Sequence, residues 1–318
     1  MKVSVLIPVY QVREYIAHCA RTLFAQTYAD IEYVFVDDAS PDDSIHLMEE
    51  VLKEFPMRQE QVVVVRHVRN TGVGITRQDA LDHATADYVL FVDSDDSLPS
   101  NAVELLVTKV QQTGADMVTG SYVEVYADKQ EIACPPVRDS KDVYLKKLLC
   151  QNIVKHQLWA RLYKKSLFVD NGISFVEGIN YGEDYSVFPR LLYFAKTATI
   201  DEVVYYYRMD NSSSYTHTPS YKNIISNFKA CAVITSFFQH AVKYSVYQKA
   251  LEIGMVNVWR TATKNQMDFS EVNQTGSFMP TGRLPRLLVL GFKSAIPYAI
   301  MNCFYLLYRR LYVLRLKN

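Results

Sequence analysis

Two periods alternate along the first part of the chain. "VSVLIPV", "IEYVFVD", "QVVVVRH" and "DYVLFVD" are short, mostly apolar and rich in β-branched residues. Such runs predict strands buried on both faces. Between them, "REYIAHCARTLFAQ", "DSIHLMEEVLKEF" and "GITRQDALDHA" place apolar residues three to four positions apart, as does "NAVELLVTKVQQTG" after the fourth run. These segments predict helices with one buried face. A fifth strand is expected at "ADMVTGSYVEVY". Strand and helix in alternation imply an α/β fold with a parallel, doubly wound sheet flanked by helices. Its ligand site is expected at the carboxyl ends of the strands.

After about Tyr126 the alternation stops. "CPPVRDS" reads as a loop, shorter Tyr-rich segments follow, and from about Tyr221 the chain reads as helical. Three parts are therefore expected: 1–125, 126–220 and 221–318. No Asp or Glu occurs beyond Glu271, whereas Arg283, Arg286, Lys293, Arg309, Arg310, Arg315 and Lys317 are interleaved there with apolar residues. "SAIPYAIMNCFYLLY" is interrupted by Pro297 and Asn302 and falls short of the roughly 20 residues that span a bilayer. It fits an interfacial element drawn to anionic lipid, or a helix docked on the rest of the chain.

With 49% apolar and 21% charged residues, 318 residues suffice to bury a substantial core. Lys+Arg and Asp+Glu both number 34, so charge gives no argument for nucleic-acid binding. The five cysteines are scattered and lack metal-ligand spacing, which fits free thiols in a reducing compartment. "MKVSVLIPVY" has too short an apolar run for a secretory leader, so a cytoplasmic setting is expected.

The chemistry concentrates where strands end. In "VFVDDASPDDS", Ser40 is expected as a helix N-cap, Pro41 at the first helical position and Asp43 near the positive end of the dipole. Asp37 and Asp38 remain, either as solvated turn acids or as acceptors for a base N–H or a ribose hydroxyl. A dinucleotide enzyme also carries an acid there, but its pyrophosphate needs a glycine-rich first turn, and "IPVYQVREY" has no glycine. "DYVLFVDSDDS" puts Asp93, Asp95 and Asp96 within four residues. At about 6 Å and an effective dielectric of about 20, each like-charge pair repels by roughly 2–3 kcal/mol. Ser97 and Pro99 are expected to start the next helix, and capping needs one oxygen rather than three carboxylates. Closely spaced hard oxygens suit Mg²⁺ or Mn²⁺ bridged to a diphosphate. In "HVRNTGVGITRQDA", Asn70 and Gly72 are expected in a turn just before a helix carrying Arg77, and Gly72 and Gly74 permit a tight backbone. Arg77 is expected either to reach a phosphate or brace an Asp or to be a surface residue.

In this order, these elements resemble the inverting family 2 glycosyltransferases with the GT-A fold, of the type that builds bacterial cell-surface polysaccharide. The match continues through "LWARLYKKSLF" and "NYGEDYSVFPRLL" and fades after "YYYR". The resemblance implies a mostly parallel GT-A sheet with a helical C-terminal region. It implies a nucleotide-sugar-binding core in 1–125 and an acceptor-side part in 126–220. Pro8, Val9 and Tyr10 would line the base, and Asp38 would take the uracil edge with Asp37 beside it. Asn70, Gly72 and Arg77 would support the diphosphate. Asp93 and Ser94 would face the ribose and sugar, and Asp95 with Asp93 would hold Mn²⁺ or Mg²⁺. Asp184, in "GEDYSVF", matches the position of the general base. The implied partners are a UDP-sugar and a glycan or lipid-linked acceptor at the inner face of the cell membrane. Trp159 is expected in packing or stacked on a sugar, and His217 as a loop residue or a third metal contact. Two other readings compete: a nucleotidyltransferase, which wants a glycine-rich basic first turn, and a degenerate scaffold, which the retained acids argue against.

Overall fold

The structure is a computed structural model that describes residues 1–134, 139–151, 153–210, 220–268, 279–294 and 296–316. Outside them lie most of "CPPVRDS", the segment 211–219 with His217, the segment 269–278 with Glu271, and Lys317. The described residues of Met1–Arg138, Gln157–Glu177 and Phe194–Ser214 form one compact unit, and those of Asp139–His156, Gly178–Tyr193 and Tyr215–Asn318 form a second.

The first unit is built on one mixed sheet. Its strands are β1 (Val3–Val9), β2 (Ile31–Asp37), β3 (Val62–Arg66), β4 (Tyr88–Phe91), β5 (Met117–Val125), β6 (Gln130–Cys134), β7 (Arg161–Lys164) and β8 (Thr197–Arg208). The order runs β3-β2-β1-β4-β7-β5, with β6 paired to the far half of β5 and β8 to its other edge. The first four strands are parallel, as their continuous apolar runs imply. The fifth expected strand does not join them directly. β7 enters antiparallel between β4 and β5, so six strands share one direction and β6 and β7 oppose them. The sheet is mostly parallel rather than wholly so.

Every residue of β1 is buried, including Pro8. Asp38 donates its N–H to the Val9 carbonyl, so alternation turns the Pro8 nitrogen away from β2 and toward β4. There the ladder has already ended, at Leu6 opposite Phe91. The missing N–H therefore breaks no strand pairing.

The flanking helices are α1 (Ile16–Phe24), α2 (Ser44–Lys53), α3 (Val73–His83), α4 (Ala102–Thr113) and the short α6 (Ser166–Val169). α1 buries Ile16, Cys19, Ala20, Leu23 and Phe24, the stripe its period prescribes, with Phe24 edge-on to Tyr33. The paired register Val9↔Asp37 brings the carboxyl ends of β1 and β2 to one edge, and β4, parallel to them, ends on that edge too.

The second unit holds α5 (Lys141–Leu149), α7 (Glu183–Phe194), α8 (Tyr221–Gln239), α9 (Tyr244–Lys264), α10 (Arg283–Phe292) and α11 (Tyr298–Arg315). Trp259 of α9 is buried and meets Phe228 of α8 edge-on at 5.0 Å. Among the described residues no helix is long and apolar enough to cross a membrane. Gly254, in the middle of α9, lies against the Leu149 carbonyl that ends α5 and accepts from the Tyr185 hydroxyl. A Cβ at Gly254 would overlap that oxygen. Helix propensity alone favours alanine over glycine by about 1 kcal/mol, but the overlap acts on backbone that cannot swing away. Gly254→Ala should therefore lower unfolding stability by about 1–3 kcal/mol in urea titrations; an unchanged or raised midpoint would show that the helices separate without cost.

Candidate active site

The turn after β2 is organised by one carboxylate. Asp38 is 2% exposed. Its Oδ1 accepts from the Thr71 N–H (2.7 Å) and hydroxyl (2.8 Å) and lies 2.8 Å from Nδ1 of His67, while Oδ2 accepts from the Gly72 N–H (2.8 Å). Burial by itself raises this carboxyl, but the bonds from His67, Thr71 and Gly72 outweigh it and hold Asp38 below its ordinary range. The other ring nitrogen of His67 is 2.8 Å from Asp79 on α3. The loop before α3 is thereby fastened to the end of β2. Gly72 needs its glycine, since φ there is +89°. Asn70 is exposed beside it.

Ser40 does not cap α2, which begins at Ser44 behind Asp43. A tertiary partner takes its oxygen instead. The Ser40 hydroxyl accepts from the Gln11 N–H (2.8 Å) and donates to Asp42 (2.7 Å). Ser44 likewise accepts from the Val12 N–H (3.1 Å) and donates to Asp42 (2.6 Å). Burial raises the Asp42 carboxyl, but the bonds from Ser44, Ser40 and Arg13 bring it below the usual range. These contacts hold the glycine-free turn after β1, including Gln11 at φ +53°. Pro8 and Val9 end buried, Tyr10 is exposed, and the half-buried Asp37 accepts from the Ser40 N–H at 2.8 Å.

At the end of β4 the three acids meet three different environments. Asp93 accepts from Nη2 of Arg77 at 2.7 Å, and Arg77 is 4% exposed. Bracing an aspartate is one of its two expected uses. Asp96 is 2% exposed and accepts from the Tyr205 hydroxyl and the Arg208 N–H, both at 2.7 Å. Burial, with the Asp95 and Asp93 charges adding to it, pushes Asp96 well above the usual carboxylate range. The Tyr205 hydroxyl also accepts the Asp93 N–H at 3.0 Å, tying both acids to β8. Asp95 is half-buried and lines a cavity of about 280 Å³ together with His18, Tyr206 and Arg208. Ser94 is buried. Ser97 does not start a helix but bridges to Tyr206, and α4 begins only at Ala102.

Trp159 is 4% exposed, stacked on Tyr205 (4.6 Å) and Tyr207 (4.9 Å), with Tyr122 edge-on at 4.7 Å. Its ring packs the core beneath β8 and is not open to a sugar. Asp184 belongs to the second unit, half-buried in the first turn of α7 beside Glu183. Tyr205, Arg208, His67, Thr71 and Asp42 were not foreseen as parts of the site.

A divalent cation fits the donor chemistry at Asp93 and Asp95. Among the described residues no group of three or more His, Cys, Asp or Glu side chains could hold a metal ion by itself. Asp96 is already hydrogen-bonded at both oxygens, so one or two carboxylates remain. That incomplete, all-oxygen set suits Mg²⁺ or Mn²⁺, which take further ligands from water and substrate phosphates.

Residues 4–168 match the model for glycosyl transferase family 2. The uncharacterized glycosyltransferase EpsJ of Bacillus subtilis (strain 168) is 28% identical over 229 residues, 68% of this chain and 63% of EpsJ, so the match spans less than two thirds of that relative. A poly(ribitol-phosphate) beta-glucosyltransferase of Bacillus spizizenii is 32% identical across 58% of this chain and 28% of its own length. The crystal structure of S. aureus TarS 1–349 with UDP-GlcNAc superposes with a TM-score of 0.65 at 20% identity, covering 93% of this chain and 82% of that one. At that identity the likeness is one of fold.

The Asp38 hydrogen bonds give a pH-dependent expectation. A carboxyl whose folded pKa is depressed stabilises fully above its unfolded value, about 3.9, and loses that contribution as pH falls through the folded one. Asp38→Asn should lower stability by about 2–3 kcal/mol at neutral pH, with the gap to the native chain narrowing below about pH 4. Denaturant titrations of both proteins across that range check it; a gap that widens in acid would contradict the assignment.

Proposed function

The chain belongs to glycosyl transferase family 2, and from that premise we propose that it is an inverting, metal-dependent transferase. It takes a sugar from a UDP-sugar to a hydroxyl of a lipid-linked or polysaccharide acceptor in cell-surface glycan synthesis, at the inner face of a membrane. The observation that carries the proposal is the set of acids at the ends of β2 and β4, with Asp93 braced by Arg77 and Asp95 on a cavity wall. UDP-GlcNAc bound to a protein of like fold supports the donor class. A relative named for glucosylating poly(ribitol-phosphate) supports a surface polymer as acceptor.

In a single displacement the acceptor oxygen attacks the anomeric carbon as the bond to the diphosphate breaks. The acceptor loses its proton, and UDP leaves carrying the bonding pair. Asp184 is assigned as the base that takes that proton, following the family pattern. The turn held by Ser40, Asp42 and Ser44 fixes the backbone of Pro8, Val9 and Tyr10 that would line the base. Asp38 is assigned to the uracil edge with Asp37 beside it, and its oxygens also hold the 67–72 loop that carries Asn70 and Gly72. Arg77 sets the rotamer of Asp93, which faces ribose and sugar, and Ser94 supports the same turn. A bound Mg²⁺ or Mn²⁺ at Asp95 and Asp93 supplies charge compensation for the departing diphosphate.

Two substitutions separate the roles. Asp95→Ala should reduce metal-dependent UDP release from UDP-sugars at least about a hundredfold, equivalent to about 2.7 kcal/mol; full release by this variant would remove Asp95 from the metal site. Asp184→Asn should abolish transfer while UDP affinity, read by calorimetry, stays within about threefold. Loss of nucleotide binding by that variant would instead place Asp184 among the donor contacts.

A further inference from the structure

α11 carries two apolar stripes, and only one is covered. Met301, Tyr305 and Tyr312 face inward and are buried. Arg260 of α9 holds that face, with its guanidinium 5.3 Å from the Tyr305 ring centre and bonded to Asn302 at 3.0 Å. Met301 packs on Gly291 of α10, where a Cβ would collide with it. On the outside, Ile300, Phe304, Leu307, Leu311 and Leu314 follow one another at steps of four and three, which places them in line along the helix. Each is between 49% and 59% exposed. α10 repeats the arrangement with Leu284, Leu287 and Leu290, of which Leu287 is 63% exposed. Ten of the 22 large apolar side chains exposed among the described residues fall between Leu284 and Leu314, about a tenth of the chain. Solitary exposed apolar residues need no partner, but a lined-up concentration does.

Charge selects the occupant. Arg283, Arg286, Arg310 and Arg315 are exposed among these residues, and no acid follows Glu271 in the sequence. A second copy packed along the α11 stripe would bring Arg310 and Arg315 against more arginine with no carboxylate from either tail. An anionic headgroup layer satisfies the guanidinium groups and the apolar side chains together. Neither helix can cross a bilayer. We propose that the outer stripes of α10 and α11 seat the protein along an anionic lipid surface. The inference deepens the functional reading above, on which it rests for its purpose, by naming the surface that brings the enzyme to a membrane-borne acceptor.

The test is flotation of the full chain with vesicles of phosphatidylcholine alone and of phosphatidylcholine with phosphatidylglycerol, about two to one. Strong binding to the anionic vesicles, at least about tenfold weaker binding to the neutral ones, and release by high salt are expected. Leu307→Glu with Leu311→Glu should cut binding at least about tenfold, with circular dichroism confirming unchanged helix content. Arg310→Glu with Arg315→Glu, which touches no buried group, should do the same. No binding by the native chain, equal binding to both vesicles, or unaltered binding by both variants would each overturn the proposal. So would a stable dimer in sedimentation that the leucine variant alone dissociates, because the stripe would then belong to a second copy. UDP release measured without vesicles reports on catalysis separately, so failure of either reading is distinguishable from failure of the other.

Discussion

Three carboxylates within four residues at the end of a buried strand are the constraint that organises the first unit. Left side by side and ionised, they would oppose folding by several kcal/mol. The structure gives each acid a different environment. Asp93 has Arg77, Asp96 has burial and two hydrogen bonds from β8, and Asp95 has a cavity wall. Each solution needs another element in place. Arg77 is positioned only if α3 starts correctly, α3 starts behind a loop that Asp38 holds, and Asp38 is fixed because it follows β2. Tyr205 and Arg208 must arrive from β8, whose alternate tyrosines also stack Trp159 into the core. The acids and the fold therefore depend on each other.

Much of this was legible in the sequence, and what escaped did so for definable reasons. Continuous apolar runs announced β1 to β4, and β1, β2 and β4 are buried as such runs imply, whereas β3 at the sheet edge is only partly covered, with Val63 exposed. β7 was not legible as a strand between β4 and β5, since four residues carry little periodicity and their pairing is set by distant segments. Ser40 followed by Pro41 carries every local mark of a helix start. A tertiary demand, the unsatisfied Gln11 N–H of a turn without glycine, took the serine oxygen instead. The acid cluster was visible, but its division was not. The partner of Asp96 lies 109 residues away, and no spacing rule connects Asp96 to Tyr205.

The second unit applies the same rule, that a charge is either paired inside or left outside. Glu252, buried on α9, accepts from the Thr281 hydroxyl (2.8 Å) and from the Thr281 and Gly282 N–H groups (3.1 and 2.8 Å), closing the start of α10. Arg260 is held by Asn302 and Tyr298 of α11. With those two groups and the half-buried Arg309, 5.5 Å from the Tyr305 ring centre, on the inner faces, Arg283, Arg286, Arg310 and Arg315 are left outside among exposed leucines. Stability within the unit does not explain that pattern, because the outer leucines on α10 and α11 leave about half of their surface in solvent.

Asp38 and Asp96 show how one unit sets the charge of its site by geometry. Hydrogen bonds from His67, Thr71 and Gly72 outweigh burial and hold Asp38 below its ordinary range, and that carboxylate is surrounded by donors and directed away from solvent. Burial drives Asp96 toward its neutral form. Arg77 balances Asp93. Asp95 differs from Asp38 and Asp96 in lying half-buried on a cavity wall that also carries His18 and Arg208. Nε of Arg208 donates to the Asp95 backbone carbonyl at 3.1 Å, which ties that wall to β8. One fold thus holds carboxyls in neighbouring turns in opposite directions, Asp38 kept charged by its donors and Asp96 driven toward neutrality by burial.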